Sequence, residues 1–211
     1  MLKMRVILAD DHLIVRQGLK QLLDREPDID VVGEASNGNE VFSLLRDREV
    51  DVAVLDITMP GRNGLETLKE IRRLYPKLKV LMLSMHPSDQ YAIRVLRAGA
   101  YGYLTKESAP GELVAAIRKA FRGEKYINPD VAGVLANYLQ KGEIEDPHKI
   151  LSDREFEVFC LIGSGKGLTQ IADKLNLSVK TISTYRTRII EKTGLATNAE
   201  ITRYTIEHDL V

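Results

Sequence analysis

The first 125 residues alternate between two periodicities, and few folds accommodate that alternation. Apolar runs fall at 6–9, 31–32, 52–55, 80–83 and 101–104. The run at 52–55, Val-Ala-Val-Leu, contains nothing polar, the pattern of a strand buried on both faces. Between the runs, apolar residues recur at helical spacing. Leu13, Leu19, Leu22 and Leu23 form one such face; Val41, Leu44 and Leu45 another; then Leu65, Leu68 and Ile71; Ile93 and Leu96; Leu113, Val114 and Ile117. Five strands alternating with five helices predict a parallel sheet covered on both faces. Right-handed crossovers leave few topologies, and the strand order 2-1-3-4-5 is the expected one.

That order defines a flavodoxin-like α/β domain, in which ligands bind outside the carboxyl ends of the strands at the switch in strand order. The residues at those ends are therefore informative. Strand one delivers Asp10 and Asp11, strand three Asp56, strand four Ser84 and strand five Lys106. The outer strand two delivers nothing comparable. A single Asp after a strand is usually a turn former or a helix cap; the joint pattern on four strand ends is not explained that way. Three carboxylates at close range repel. A divalent cation removes the conflict, and an all-oxygen set suits Mg²⁺. Lys106 would add a point charge and Ser84 a hydroxyl, while an Asp can serve as nucleophile toward phosphorus. His12 and His86, near the rim, read as solvated surface.

The rhythm changes after residue 125. A helix is expected over 126–140, with Asn128 as cap and Pro129 at its first position. The polar stretch "KGEIEDPHK", 141–149, lacks periodicity and reads as a linker. No strand-like run follows. "LSDRE" is a capping box, Ser152 with Glu155, opening a helix over 153–163. Short and long helices follow at 169–175 and 179–192, separated by a tight turn at 176–178. "TNAE", Thr197 with Glu200, opens a last helix to about His208. The expected domains are thus 1–125 and 150–211, joined by 126–149.

Helix, turn, helix over 169–192 predicts a DNA-binding module. Ile171, Ala172, Leu175, Ile182 and Ile189 would face inward, with Leu177 plugging the turn. Lys174, Lys180, Arg186, Arg188 and Lys192 stand against one acid, Glu191. Basic charge focused on one helix suits phosphate contact, and a helix N-terminus at Ser178 suits a phosphate as well. Uncharged Ser183, Thr184 and Thr187 could read base edges in a major groove. The candidate DNA contacts are Lys180, Thr181, Ser183, Thr184, Tyr185, Thr187, Arg188 and Lys192.

Composition bears on location and not on partners. Thirty basic and thirty acidic residues cancel, so any charge preference is local. Cys160 is the sole cysteine, which excludes an intramolecular disulfide and fits a reducing compartment. No apolar run approaches the ~18 residues of a membrane span. The opening "MLKMRVILADDH" reaches two acids too soon for a signal peptide. The expected location is cytoplasmic, without membrane contact.

The motifs "ILADDH", "VLDITMPGRNGLE", "VLMLSM" and "AYGYLTKE" resemble those of the receiver domain of two-component response regulators. The resemblance implies Asp56 as phosphoacceptor. It implies Asp11 and Asp56 as direct Mg²⁺ ligands with the Thr58 carbonyl, and Asp10 acting through water. Ser84 takes the hydroxyl switch position and Tyr103 the aromatic one. Glu107 stands where many receivers have a cis-proline after the lysine. The segment "LSDREFEVFCLIGSGKGLTQIADKLNLSVKTISTYRTRIIEKTG" is similar to the LuxR-type DNA-binding domain, with Tyr185 and Arg186 departing from its commonest pattern. Together the two resemble a NarL/FixJ-type response regulator. That implies a histidine kinase as phosphodonor, double-stranded promoter DNA and RNA polymerase as further partners, and a homodimer on phosphorylation. It also implies pairing of the last helix with its twin around Ile201, Tyr204 and Thr205. No catalytic turnover is expected beyond self-phosphorylation and dephosphorylation at Asp56.

Two other classes compete. A phosphatase of the haloacid dehalogenase type would carry a second Asp two residues after the nucleophile; here that residue is Thr58. An interaction protein whose receiver works without phosphate is countered, though not eliminated, by the intact acidic cluster.

Overall fold

A computed structural model describes residues 3–85, 89–141 and 146–211. His86 and residues 142–145 of the expected linker lie outside the described residues. The chain divides into two compact units, the first made chiefly of residues up to Ala132 and the second chiefly of those from Gly133 onward.

The first unit is a five-stranded parallel sheet. Its strands are β1 (Met4–Ala9), β2 (Ile29–Ala35), β3 (Val52–Asp56), β4 (Lys79–Ser84) and β5 (Gly102–Thr105), in the order β2-β1-β3-β4-β5. The helices between them are α1 (Leu13–Leu23), α2 (Gly38–Asp47), α3 (Gly64–Leu74), α4 (Asp89–Arg97) and α5 (Ala109–Phe121). Every residue of β3 is buried, as its unbroken apolar run requires. Alternation then divides the core. Val6, Leu8, Val52, Val54, Leu81, Leu83 and Leu104 pack with Leu19 and Leu23 of α1 and Leu113, Ala116 and Ile117 of α5. Ile7, Ala53, Leu55, Met82 and Tyr103 point to the other face by the period of two. β2 is longer than its apolar pair at 31–32 suggests. As an edge strand it carries Asp30 and Glu34 outward, and these interrupt the run.

Helix α6 (Pro129–Lys141) starts where its cap predicts, with Asn128 Oδ1 accepting from Val131 N at 3.0 Å. The second unit holds α7 (Asp153–Gly163), α8 (Leu168–Leu175), α9 (Val179–Thr193) and α10 (Asn198–Glu207). Both expected capping boxes are formed, Ser152 with Glu155 and Thr197 with Glu200. Ile171, Ala172, Leu175, Ile182 and Ile189 are buried as expected, and Leu177 is half-buried.

The stretch read as linker is not all linker. Pro147–Ile150 forms a 3-10 turn, and His148 within it is fully buried. Its Nδ1 lies 2.9 Å from the Tyr204 hydroxyl, and its ring packs among Phe156, Tyr204 and His208. Burial, with the Asp146 charge adding to it, pushes the Tyr204 hydroxyl up to about 12. The α10 residues are also placed differently from the expected twin contact. Ile201 and Thr205 are fully buried within their own unit, and Tyr204 is turned to His148. The outward face of α10 is Arg203, Ile206 and Glu207.

Candidate functional site

The carboxyl ends of β1, β3, β4 and β5 bring the acidic residues, Ser84 and Lys106 together. Asp10 and Asp56 are each 1% exposed. Lys106 follows β5 and reaches between them, its Nζ 2.7 Å from Asp10 Oδ2 and 2.8 Å from Asp56 Oδ2. The Lys106 amide donates to the Ser84 carbonyl at 2.7 Å, which fixes the β4 and β5 ends against each other. Ser84 and Tyr103 are buried, each 2% exposed. Thr58 N donates to Asp56 Oδ1 at 3.3 Å, so the loop after β3 curls over the acid. All described peptide bonds are trans, including that between Lys106 and Glu107.

That loop is short because α3 begins immediately beside it. Asn63 caps α3 in a capping box with Glu66, and the Gly64 amide donates to the Ile57 carbonyl at 2.9 Å. A Cβ on Gly64 would lie 2.0 Å from the Asp56 carbonyl oxygen. The helix start is therefore pressed onto the backbone of the central acid, and only glycine permits that approach.

Burial pushes the Asp56 carboxyl up to about 7; Lys106 opposes this and Asp10 and Asp11 add to it. Burial likewise works against the Lys106 charge, but Asp56 and Asp10 outweigh it and hold the ammonium above the ordinary lysine value. The three carboxylates and the His12 imidazole each present a ligand atom, all within 4.8 Å of one another. Asp10 Oδ2 and Asp11 Oδ1 are buried, with Lys106 Nζ 2.7 Å from the first and His12 Nδ1 2.8 Å from the second. Oxygens of three acids gathered within 4.8 Å of one another fit a divalent cation. His12 is not simply solvated: half exposed, it has Nδ1 2.8 Å from Asp11 Oδ1.

On the second unit the candidate DNA contacts separate into two groups. Lys180, Ser183, Thr184, Thr187 and Arg188 are exposed along α9. Thr184 and Thr187 donate to carbonyls one turn back, at 3.0 and 3.2 Å. Thr181, half-buried, is held by the Ser178 cap, whose Oγ accepts from Thr181 N at 3.0 Å. Tyr185 is half-buried. Arg186 donates to Asn198 Oδ1 at 2.8 Å, so its guanidinium links α9 to the start of α10. Lys192, although exposed, donates to Glu155 Oε2 at 2.6 Å. Burial raises the Glu155 carboxyl, but Lys192 and Ser152 outweigh it and hold it below the usual range. Lys192→Met is accordingly expected to destabilise the C-terminal unit by about 1 kcal/mol, read as a lower thermal midpoint. An unchanged midpoint would show the ion pair to be without consequence.

Comparisons with known proteins agree with this arrangement. Residues 6–118 match the response regulator receiver domain family, and residues 149–205 match the bacterial regulatory proteins of the luxR family. Response regulator UvrY of Escherichia coli strain K12 is 38% identical over 206 residues, spanning 97% of this chain and 94% of that protein. Response regulator GacA of Pseudomonas aeruginosa is 36% identical, spanning 98% and 97%. Among solved structures, an RcsB response regulator of Salmonella typhimurium superposes with a TM-score of 0.74 at 29% identity, covering 99% of both chains. RcsB from Salmonella enterica serovar Typhimurium, solved bound to a promoter in the presence of phosphomimetic BeF3−, gives 0.66 at 32% identity, covering 96% of this chain and 98% of that one. Two matched domains in this order, with relatives alike over nearly the entire length, identify the chain as a member of the NarL/FixJ-type response regulators, two-component transcription regulators that join a receiver domain to a LuxR-type DNA-binding domain.

Proposed function

We propose that Asp56 accepts a phosphoryl group from the phosphohistidine of a partner kinase and that this modification governs binding of α9 to promoter DNA. The observation that carries the reading is Lys106 Nζ seated between Asp10 Oδ2 and Asp56 Oδ2 at the strand ends. An Asp56 carboxylate oxygen attacks phosphorus as the P–N bond to the donor imidazole breaks, and the imidazole leaves with the electron pair. Lys106 holds Asp56 toward the incoming group and neutralises charge on the phosphoryl oxygens. The buried Asp10 sets the field that keeps Lys106 charged. Ser84, on the neighbouring strand end, offers its hydroxyl to a phosphoryl oxygen, and Tyr103 one strand further follows it. When bound, Mg²⁺ would be held by Asp11, Asp56 and the Thr58 carbonyl, with Asp10 through water, and would offset charge developing in the transition state.

On DNA, Lys180 and Arg188 would contact phosphates, and Ser183, Thr184 and Thr187 base edges. A homodimer would pair through the outer face of α10, where Ile206 is 61% exposed. Coupling requires the phosphorylated receiver to favour one arrangement of the chain energetically. A cytoplasmic location and contact with RNA polymerase belong to the same reading.

Intact mass after incubation with a small acyl phosphate and Mg²⁺ tests the chemistry. One phosphoryl group should appear on the wild type and none on Asp56→Asn. Addition to the variant would move the acceptor elsewhere, and addition to neither would favour a phosphate-independent receiver. Arg188→Ala should weaken DNA binding across sequences and lower the salt slope by about 1. An unchanged titration at fixed salt would remove Arg188 from the interface.

A further inference from the structure

We propose that the groove between α2 and α3 binds a small aromatic anion, a planar ring bearing a carboxylate or a phosphate, and that Arg46 and Arg62 hold its charged head.

The groove is a cavity of about 470 Å³, walled by α2, by Arg62 just before α3, and by the second half of α3 with Tyr75. That volume falls within the ~300–1,000 Å³ of small-molecule sites. Asn39, Phe42, Ser43 and Arg46 recur at helical spacing, so α2 turns one stripe to the cavity. On the opposite wall Leu74 is exposed at the end of α3, and Tyr75 beside it is half-buried. These two give a ring apolar surface to pack on.

The charge in the groove is uncompensated. Arg5, Arg16, Arg73, Arg118 and Arg122 each pair with a carboxylate. Arg46 and Arg62 pair with none among the described residues. Glu70 lines the cavity, but it accepts from Arg73 Nη2 at 2.5 Å, a bond that holds its carboxyl below the usual range. The groove's own acid is thus committed to a cation outside the groove.

Both guanidiniums are held in place by the fold. Arg46 Nη2 donates to Ser43 Oγ at 3.1 Å, along the same stripe of α2. Arg62 is half-buried and lies over the Phe42 ring, 5.1 Å from its centroid. Its backbone is fixed too. A Cβ on Gly38 would stand 2.9 Å from the Arg62 carbonyl oxygen, and Asn63, the next residue, caps α3. Helix stability explains one of the two. Arg46 in the last turn of α2 complements the helix dipole, whereas a cation before the first turn of α3 opposes it. Arg62 therefore sits at a helix end where its charge costs stability, half-desolvated and without an acid.

A rigid guanidinium pair matches the two oxygens of a carboxylate or phosphate. Glu70 in the wall works against a polyanion, so the fitting ligand carries one anionic head on an aromatic body.

The test titrates the full chain with 2-naphthoate and with adenosine monophosphate, by calorimetry and by ¹H–¹⁵N spectra. Inorganic phosphate and 2-naphthalenemethanol supply the head and the ring alone. At least one aromatic anion should bind with a Kd of about 10–100 μM, shifting the amide signals of Phe42, Arg62 and Tyr75. The naphthoate and nucleotide arms separate a carboxylate site from a phosphate site. Head or ring alone should bind at least about tenfold more weakly. Arg46→Gln and Arg62→Gln should each weaken binding about tenfold. Arg48→Gln, which removes a charge at the end of α2 outside this cavity, should stay within about twofold. Absence of saturable binding by both aromatic anions would overturn the proposal. So would equal binding of inorganic phosphate, shifts confined to residues away from the groove, or equal losses in Arg48→Gln and Arg62→Gln.

Discussion

Lys106→Met is expected to destabilise the receiver unit by about 3–5 kcal/mol at neutral pH without divalent cations, the largest stability loss of any single substitution in the site. The side chain is 5% exposed, and the carboxylates it joins are 2% exposed. Removing it leaves those acids buried with no positive partner, and methionine fills the space without restoring charge. The sign with pH follows from Asp56. Its folded carboxyl already sits near 7 through burial, above the ordinary carboxylate value. The folded state therefore holds that proton more tightly than the unfolded chain, so the Asp56 contribution is most favourable below about pH 4 and declines as pH rises toward 7. In Lys106→Met the decline should be steeper and extend further, because the opposing ammonium is gone. Adding Asp56→Asn should recover much of the loss, and millimolar Mg²⁺ should recover part of it by binding only the folded state. Urea unfolding between pH 4 and 8, with and without Mg²⁺, measures all of these. A Lys106→Met midpoint equal to that of the wild type at pH 7.5 without metal would mean that the pair is already relaxed by solvent.

Gly64→Ala is expected to slow phosphorylation of Asp56 about a hundredfold without touching a reacting group. The added methyl would lie 2.0 Å from the Asp56 carbonyl oxygen and 2.8 Å from its carbonyl carbon. Neither neighbour is the end of a flexible side chain, so the backbone of β3 or the start of α3 must shift. A displacement of about 1 Å at a reacting group costs on the order of 10²-fold in rate, and overpacking of this kind costs about 1–3 kcal/mol. Gly61→Ala is the control. Gly61 has φ +71° with open space around its Cβ position, so alanine there is strained by about 1–2 kcal/mol but presses on nothing. The two variants should lose similar stability and differ greatly in rate of phosphorylation. Equal rates would detach the Gly64 contact from the chemistry.

Much of the site was legible because a parallel sheet gathers strand-end residues without regard to their distance in the chain. Asp10, Asp56, Ser84 and Lys106 needed only the strand order to be brought together. The capping boxes at Ser152 and Thr197 were equally readable, since each is a local pattern of two side chains. What escaped reading depended on packing that no local pattern reports. His148 sits in a polar stretch and looks solvated until Tyr204, 56 residues later, is seen to hold it. Arg154 and Glu157, one turn apart, resemble an exposed helix face, yet both are buried and joined at 2.6 Å. Lys192 resembles its basic neighbours on α9, and only the position of Glu155 gives it a carboxylate partner. The part played by Gly64 is invisible in sequence because it consists of the absence of a side chain.

The buried turn at Pro147–Ile150 also decides where this protein can be cut in two. A C-terminal piece begun at Leu151 would include α7 to α10 and every residue that caps them, yet would lack His148. Phe156, Tyr204 and His208 would then face water where an imidazole now covers them. A fragment intended to stand alone therefore has to retain residues from Asp146 onward. By the same token, an insertion between Pro147 and Ile150 would be paid for by the DNA-binding unit, although the chain there has the composition of a tether.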